Sequence, residues 1–421
     1  MRSVFFFIAL LVASVVASPT SLAQQPHVRV RVLDTYAPQA VILYAEQATN
    51  MMLDGVSMPV GAASAVYVAR EGDGLQVEMN GRRHRALLVE YGGAEHTWTL
   101  ALRYPADPGV ERRYQGRLRV QPDTEALRLI NTVPIEPYVA AVLTKEFNFQ
   151  EPSSSEAMAI VIRSYALKSV QNPVSDAFDL YDHTASQVYQ GIGDTAPMAR
   201  QATRNTAGNV VLHRGELIDA VYSASSGGHT ANNEDVWQGA ALPYLRGVSD
   251  PYDANSPHRD WSVTLPRGVF LQALSEQLGR PVQDVEIADR TADGRVDRLR
   301  ITHLNGTESF LAASVFRQTL NRRLDAPGIR STLFDFSASD GMIVIEGQGF
   351  GHGVGLGQWG ALEMGRQGKS ATEIIQFYYR GVRIEPVYEA DVFADLDDAP
   401  AEASEPGAGE RRDQLLNRLG W

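Results

Sequence analysis

Residues 349–361 read GFGHGVGLGQWGA, thirteen residues with six glycines, one histidine, one glutamine and one tryptophan. Glycine costs folding entropy and is retained where the backbone takes positive φ or closely approaches another group. The polar and aromatic residues between the glycines are types that hydrogen-bond or stack on a ligand. The stretch is therefore either a tightly packed structural turn or the wall of a binding site.

The rest of the chain sets the context. Its 421 residues are 44% hydrophobic and 21% charged, a globular composition long enough for two domains or one large one. A net charge of −12 argues against a nucleic-acid partner, which calls for a basic footprint, and disfavours docking on anionic lipid. Residues 1–23 have the pattern of a secretory signal peptide: Arg2, an apolar stretch from Val4 to Val16, and Ser21 and Ala23 before Gln24. The stretch is short for a membrane span, and a retained N-terminal anchor is the alternative. The absence of cysteine excludes disulfides and thiolate metal sites. These features suit an exported protein of a bacterial periplasm or cell envelope, and no cofactor is implied.

Periodicity predicts an α+β chain: a mixed, antiparallel β-rich core with several helices around a groove, plus a small N-terminal β unit. His27 to Leu33 alternates with period two, as do Leu75, Val77 and Met79, with turn signals at Gly72-Asp73-Gly74 and Asn80-Gly81. Residues 24–108 form this N-terminal unit, and 109–388 the main region. A hairpin spans Tyr114 to Ile130, a helix Tyr138 to Glu146, and a second helix follows Pro152, with Ser153 and Glu156 spaced as a capping box. Residues 207–222 predict a hairpin about Arg214-Gly215. An α+β insert is expected over 266–335, with helices near 268–278 and 312–320 and a hairpin turning at Asp293-Gly294. A strand from Met342 enters the glycine-rich segment and a helix over 360–366 leaves it; 389–421 has the composition of a disordered acidic tail.

Three clusters carry candidate chemistry. Gly355, Gly357 and Gly360 satisfy GxGxxG between a strand and a helix, the outline of a dinucleotide site. Only about one βαβ unit fits before the tail, and an exported chain would not meet cytosolic dinucleotide pools, so no dinucleotide partner is expected. YSASSGGHTANNEDVW at 222–237 offers Ser225 and Ser226, but no GxSxG elbow, so a polar turn lining a cleft is favoured over a nucleophile. Glu146 ends a helix beside Phe147 and Phe149, where desolvation can raise a carboxyl pKa as a general acid requires.

In order, YQGRLRV, VPIEPYVAAVLTKEF, RSYALK at 163–168, SQVYQG at 186–191, YSASSGGHTANNEDVW, PYLRGVSDPYD and GFGHGVGLGQWGA resemble the sporulation stage II protein D/amidase-enhancer (SpoIID/LytB) family over about 113–385. The resemblance implies a cell-wall factor acting on peptidoglycan glycan strands, a lytic transglycosylase on strands stripped of stem peptides. Other members are named for enhancing an amidase, so a cell-wall amidase is an implied partner, and a glycan-binding enhancer without chemistry is the alternative. Glu146 matches the family's catalytic glutamate, with Val142 four residues earlier; Lys145 replaces a small residue and Glu151 a tryptophan. Residues 180–189 lack the cysteine of the metal site some members carry, so no metal is transferred. Candidate glycan contacts are Arg163, Tyr165, Gln187, Tyr189, Ser225, Ser226, Glu234, Trp237, His352, Gln358 and Trp359. For each the bland alternative is a structural role: support of the catalytic loop for Arg163 and Tyr165, core packing for the tryptophans, a turn for His352.

Overall fold

A computed structural model describes residues 25–103, 109–324 and 328–388. The expected leader, 1–23, and tail, 389–421, lie outside the described residues. Within them the protein is α+β, with seven helices and predominantly antiparallel sheets.

Alternation in the first strand places Val28 and Val30 fully inside while Arg29 and Arg31, on the other face, are half-buried. This strand, His27–Arg31, runs antiparallel to Leu127–Pro134, with Val30 opposite Asn131. It also pairs in parallel with Leu180–Tyr181. They belong to a seven-stranded sheet that also holds Arg117–Pro122 and Val89–Tyr91; a six-stranded sheet carries Ala40–Ala45, Ala65–Glu71 and Gly74–Met79. Strands on the two sides of residue 108 pair directly, Thr97–Arg103 with Glu111–Gln115 and Val89–Tyr91 with Arg117–Pro122. The N-terminal strands and the main region therefore share sheets and one apolar core. Trp98 ties them together, stacked on Tyr114 at 4.8 Å and donating from Nε1 to the Gly116 carbonyl at 2.9 Å. Gly116 is required there: its φ is 99°, and a Cβ would overlap the Thr132 carbonyl oxygen.

Helix α1, Ile135–Glu146, follows Leu127–Pro134 without a loop. It begins three residues before the position expected from Pro137, because proline fits within a first turn whose N–H groups have no helical partner. Helix α2, Pro152–Gln171, packs against it. Its cap is not the expected Ser153–Glu156 box. Glu151 is the N-cap residue, its carboxylate accepting from Ser153 and Ser154 N–H at 3.1 and 2.6 Å, while Glu156 accepts from Asn205 at 2.7 Å. Helix α3 is Pro197–Asn205.

The expected strand over 217–222 divides. Glu216–Leu217 folds back on Asn209–His213 about Arg214-Gly215, whereas Tyr222–Ser223 pairs in parallel with Leu356–Gly357. A second apolar core forms the insert, built on α4 (Arg267–Leu278), strands Val282–Arg290, Val296–His303 and Glu308–Ala312, and α5 (Ala313–Asn321). It reaches further than 266–335, drawing in Trp261, Ile343 and Ile345. Helices α6, Gln358–Arg366, and α7, Ala371–Tyr378, return the chain to the first core.

One buried ion pair clamps these parts. Arg163, 0% exposed, donates to both carboxylate oxygens of Glu136, at 3.0 and 2.6 Å. Glu136 Oε1 also accepts from Gly208 N–H at 3.0 Å and the Tyr388 hydroxyl at 2.6 Å. Removing one member of such a pair leaves the other charge buried and uncompensated, at a cost of about 3–5 kcal/mol. Arg163→Leu is therefore expected to lose about that much stability in urea-induced unfolding; a loss below about 1 kcal/mol would contradict the clamp.

Candidate functional site

Glu146 is the last residue of α1, and the chain leaves the helix at Phe147. Its half-buried carboxylate accepts from the Val188 N–H at 2.8 Å and from the Tyr222 hydroxyl. Burial raises its pKa above the ordinary value of 4.5, and these two hydrogen bonds partly oppose the rise. Behind Tyr222 runs an ordered chain of donors: Tyr138 Oη donates to Gln187 Oε1 at 3.0 Å, and Gln187 Nε2 donates to Tyr222 Oη at 3.2 Å. With its acceptor role filled, the Tyr222 hydroxyl directs its proton at Glu146. Gln358 Nε2 donates to the Glu146 carbonyl oxygen at 3.0 Å, fixing the last turn of α1 from the opposite end of the sequence. Lys145 lies 3.9 Å from Asp194 in an ion pair, and burial, Val188 and Tyr222 account for the Glu146 shift without it.

Helical spacing separates the two residues expected from RSYALK. Arg163 faces the core; Tyr165, two positions on, points about 200° away on the α-helix, toward Ser186 and within electrostatic reach of Glu146 and Asp219. Tyr165, Lys168 and Ser169 form one face of α2 and, with its C-cap Asn172, line a cavity of about 330 Å³ with Asp219, Asn233 and Trp237. Trp237 is 41% exposed, and its ring lies 4.9 Å from that of His352. His352 Nδ1 accepts from Val354 N–H at 3.0 Å, and the ring also bonds the Tyr222 carbonyl. Burial, with the charges of Arg295 and Arg317, holds its pKa down to about 4, so the ring is neutral near neutral pH. His352 thus closes the glycine turn and backs Trp237. Trp359 is half-buried, edge-on to Phe149 at 4.9 Å.

The remaining expected contacts are directed elsewhere. Tyr189 is 0% exposed and donates to Asn131 Oδ1 at 2.9 Å. Ser225 and Ser226 are buried, and their hydroxyls donate to Asp253 at 2.7 Å and Asp250 at 2.9 Å rather than facing an open groove or a histidine. Glu234 is held by Arg246, which keeps its pKa below the usual value. The structure therefore gathers Glu146, Tyr165, Trp237, His352 and Trp359 about one region, with Gln187 and Gln358 buried beneath them in bonds to Tyr138, Tyr222 and the Glu146 carbonyl, and leaves Arg163, Tyr189, Ser225, Ser226 and Glu234 in supporting bonds elsewhere.

The glycine-rich segment is a packing device. A Cβ at Gly353 would overlap the Arg295 guanidinium, and one at Gly360 the Tyr378 hydroxyl. Asp250, its pKa pushed up to about 6 by burial, sits against Gly357 and Gly360 and accepts from Tyr378 at 3.0 Å. A carboxylate and a tyrosine thus fill the place where a dinucleotide fold would receive pyrophosphate.

Three participants escaped the sequence reading. Tyr222 was present in a quoted motif, but its hydroxyl role depends on the parallel pairing with Leu356–Gly357. The Val188 N–H carries no side-chain signal at all. Asp219 accepts from Tyr244 at 2.8 Å on the cavity wall, where an isolated aspartate in a strand pattern gives no cue.

The raised pKa has a thermodynamic consequence. A carboxyl that protonates more readily in the folded state contributes stability below its unfolded pKa, near 4.5, and loses it as pH rises through the folded value. Glu146→Gln is therefore expected to raise the melting temperature near neutral pH, with the advantage vanishing below pH 4.5 in a series of thermal melts.

Known proteins place this arrangement. The family model "Stage II sporulation protein" matches residues 123–213, the span from the strand before α1 to the strand after α3. A stage II sporulation protein D of Bacillus amyloliquefaciens is 31% identical over 280 residues, covering 63% of this chain and 77% of that protein. An uncharacterized protein of Brachyspira hyodysenteriae is 29% identical over 384 residues, 89% of this chain and 98% of that one. The amidase enhancer of Bacillus subtilis is 26% identical over 275 residues, 54% of this chain and 37% of its own length. The chain belongs to the stage II sporulation protein D/amidase-enhancer (SpoIID/LytB) family.

Proposed function

We propose that this protein is an exported cell-wall factor, a lytic transglycosylase that cleaves the β-1,4 bond between N-acetylmuramic acid and N-acetylglucosamine in denuded peptidoglycan strands. The observation that supports the reading is Glu146: one half-buried carboxyl with a raised pKa, aimed by Val188 and Tyr222 and within electrostatic reach of Tyr165, which lines a cavity with Trp237. The names of its relatives support a role at the wall.

A single carboxyl suffices for this reaction. Glu146, protonated, donates to the glycosidic oxygen as the bond to C1 breaks. The resulting carboxylate takes the proton of the muramic C6 hydroxyl, whose oxygen bonds to C1 and closes the 1,6-anhydro ring. The acid is regenerated, and no water enters the product. A hydrolase instead needs a second carboxylate as nucleophile or water base. Asp219, on the wall of the cavity that Tyr165 lines, is a candidate for that role, so the products discriminate: anhydro ends for the lytic route, reducing ends for hydrolysis.

Incubation of the mature protein with denuded strands is expected to yield 1,6-anhydromuramic ends by mass spectrometry. Glu146→Gln should cut the rate by about a hundredfold or more while glycan binding persists. Unchanged turnover in that variant would refute the assignment. Binding with no product from the wild type would leave the protein as a glycan-binding enhancer of an amidase. Tyr222→Phe removes a hydrogen bond that favours the charged carboxylate, so the falling limb of the pH–rate profile should move to higher pH.

A further inference from the structure

The cavity beside α2 carries two opposite charges that do not neutralise each other. Lys168 stands in the last turn of α2, where the helix carbonyls favour a cation. Asp219 faces the same space. Among the described residues Lys168 Nζ has neither a carboxylate nor a hydrogen-bond partner, and it is not buried. Tyr244 keeps the two charges apart. Its hydroxyl donates to Asp219 Oδ2 at 2.8 Å and accepts from the Asp219 N–H at 3.3 Å. The carboxylate is thereby fixed in place, with Oδ1 left free.

The opposite side of the cavity is apolar and held in shape. The Asn233 side chain donates to the Ala240 carbonyl and accepts from the Leu242 N–H, both at 2.9 Å, and its own carbonyl accepts from the Trp237 N–H at 2.9 Å. With its amide spent on this strap, Asn233 shapes the cavity, and Trp237 and Leu242 are presented to it beside Val221. A neutral sugar in this space would leave both charges partly desolvated without a counter-charge. A ligand carrying a carboxylate and an ammonium satisfies both, each through a charge-assisted hydrogen bond. The apolar side suits an aliphatic arm. The volume of about 330 Å³ is at the small end for ligand pockets, room for a group of amino-acid size.

We infer that this cavity binds an α-amino-carboxylate zwitterion with an aliphatic arm, its carboxylate on Lys168 and its ammonium on Asp219. Such a site goes beyond the proposed reaction and does not depend on it. Two sources carry this chemistry: a free amino acid, and the unlinked end of a diamino-acid residue in a wall peptide. Both present the same pair of charges on one carbon, and they differ in whether the far end of the arm is free or built into a chain.

Binding to the purified full chain is measured by calorimetry with diaminopimelic acid, which has a zwitterion at each end of an aliphatic chain. The comparison probes are its di-N-acetyl derivative, its dimethyl ester, a wall tetrapeptide in which one end of the diamino acid is free, and N-acetylglucosamine oligosaccharides. Blocking either charge is expected to weaken binding about tenfold or more, the loss of one charge-assisted contact. Lys168→Gln should weaken the parent acid to a similar degree and leave the dimethyl ester unchanged. Asp219→Asn should likewise weaken the parent acid and leave the di-N-acetyl derivative unchanged, the pattern of a double-mutant cycle. Because Asp219→Asn also touches the Tyr244 bond, Lys168→Gln, with an unchanged thermal melt, is the deciding variant. Tetrapeptide binding equal to that of the free acid assigns the wall as the source; binding of the free acid alone assigns the solute. No binding of diaminopimelic acid, equal affinity for the parent and both blocked forms, or a Lys168→Gln loss shared equally with the dimethyl ester would overturn the inference. Oligosaccharides that bind more tightly than the parent acid and weaken in Lys168→Gln would also overturn it, returning the cavity to a sugar.

Discussion

The Glu136–Arg163 pair is the constraint on which the site's geometry depends. It joins the first turn of α1 to the middle of α2, and through Gly208 and Tyr388 to the end of α3 and the close of the described chain. An ion pair removed from water is poor at raising stability but strict about geometry, since a small displacement leaves a charge uncompensated. Glu146 lies at the opposite end of α1, ten residues along a helix buried almost throughout. Fixing the start of that helix against its neighbours fixes where its last side chain emerges.

Around Glu146 the protein uses polar groups in two ways. Tyr138, Gln187 and Tyr222 form a directed chain whose last proton meets the carboxylate. Ser225 with Asp253 and Ser226 with Asp250 spend their hydrogen bonds inside the wall, and Asp250 Oδ1 and Asp253 Oδ1 are left buried without partners. That second arrangement is costly in isolation, and its return is the tight seating of Gly227, Gly349 and Gly360 against neighbouring backbone and side chains.

Much of this was legible in the chain. Strict alternation from His27 to Leu33, turn pairs such as Asn80-Gly81 and Arg214-Gly215, and the proline before α2 locate elements because each acts locally. Glu146 was marked by its place in a family motif and its flanking phenylalanines. What sequence could not give was direction. Arg163 and Tyr165 stand two apart, and nothing local says that one points to the core and the other to a cavity. Likewise the serine-rich turn looks like a polar lining until Asp250 and Asp253, about 25 residues on, take its hydroxyls. The cap of α2 shows the same limit: Ser153 has the better capping propensity, but Glu151 lies against Gly365 of α6 and reaches two N–H groups from there. Strand pairing across residue 108 likewise leaves no mark on composition.

The pairing of Tyr222–Ser223 with Leu356–Gly357, together with the hold of Gln358 on the Glu146 carbonyl, bears on when the surroundings of Glu146 are completed during synthesis. Glu146 is synthesised in the first half of the chain, yet the strand that carries its tyrosine partner pairs only with a strand of the last segment. A nascent or truncated chain therefore holds a glutamate with an ordinary environment and no aligned proton donor. If the proposed activity on wall glycan holds, competence arrives with completion of the fold.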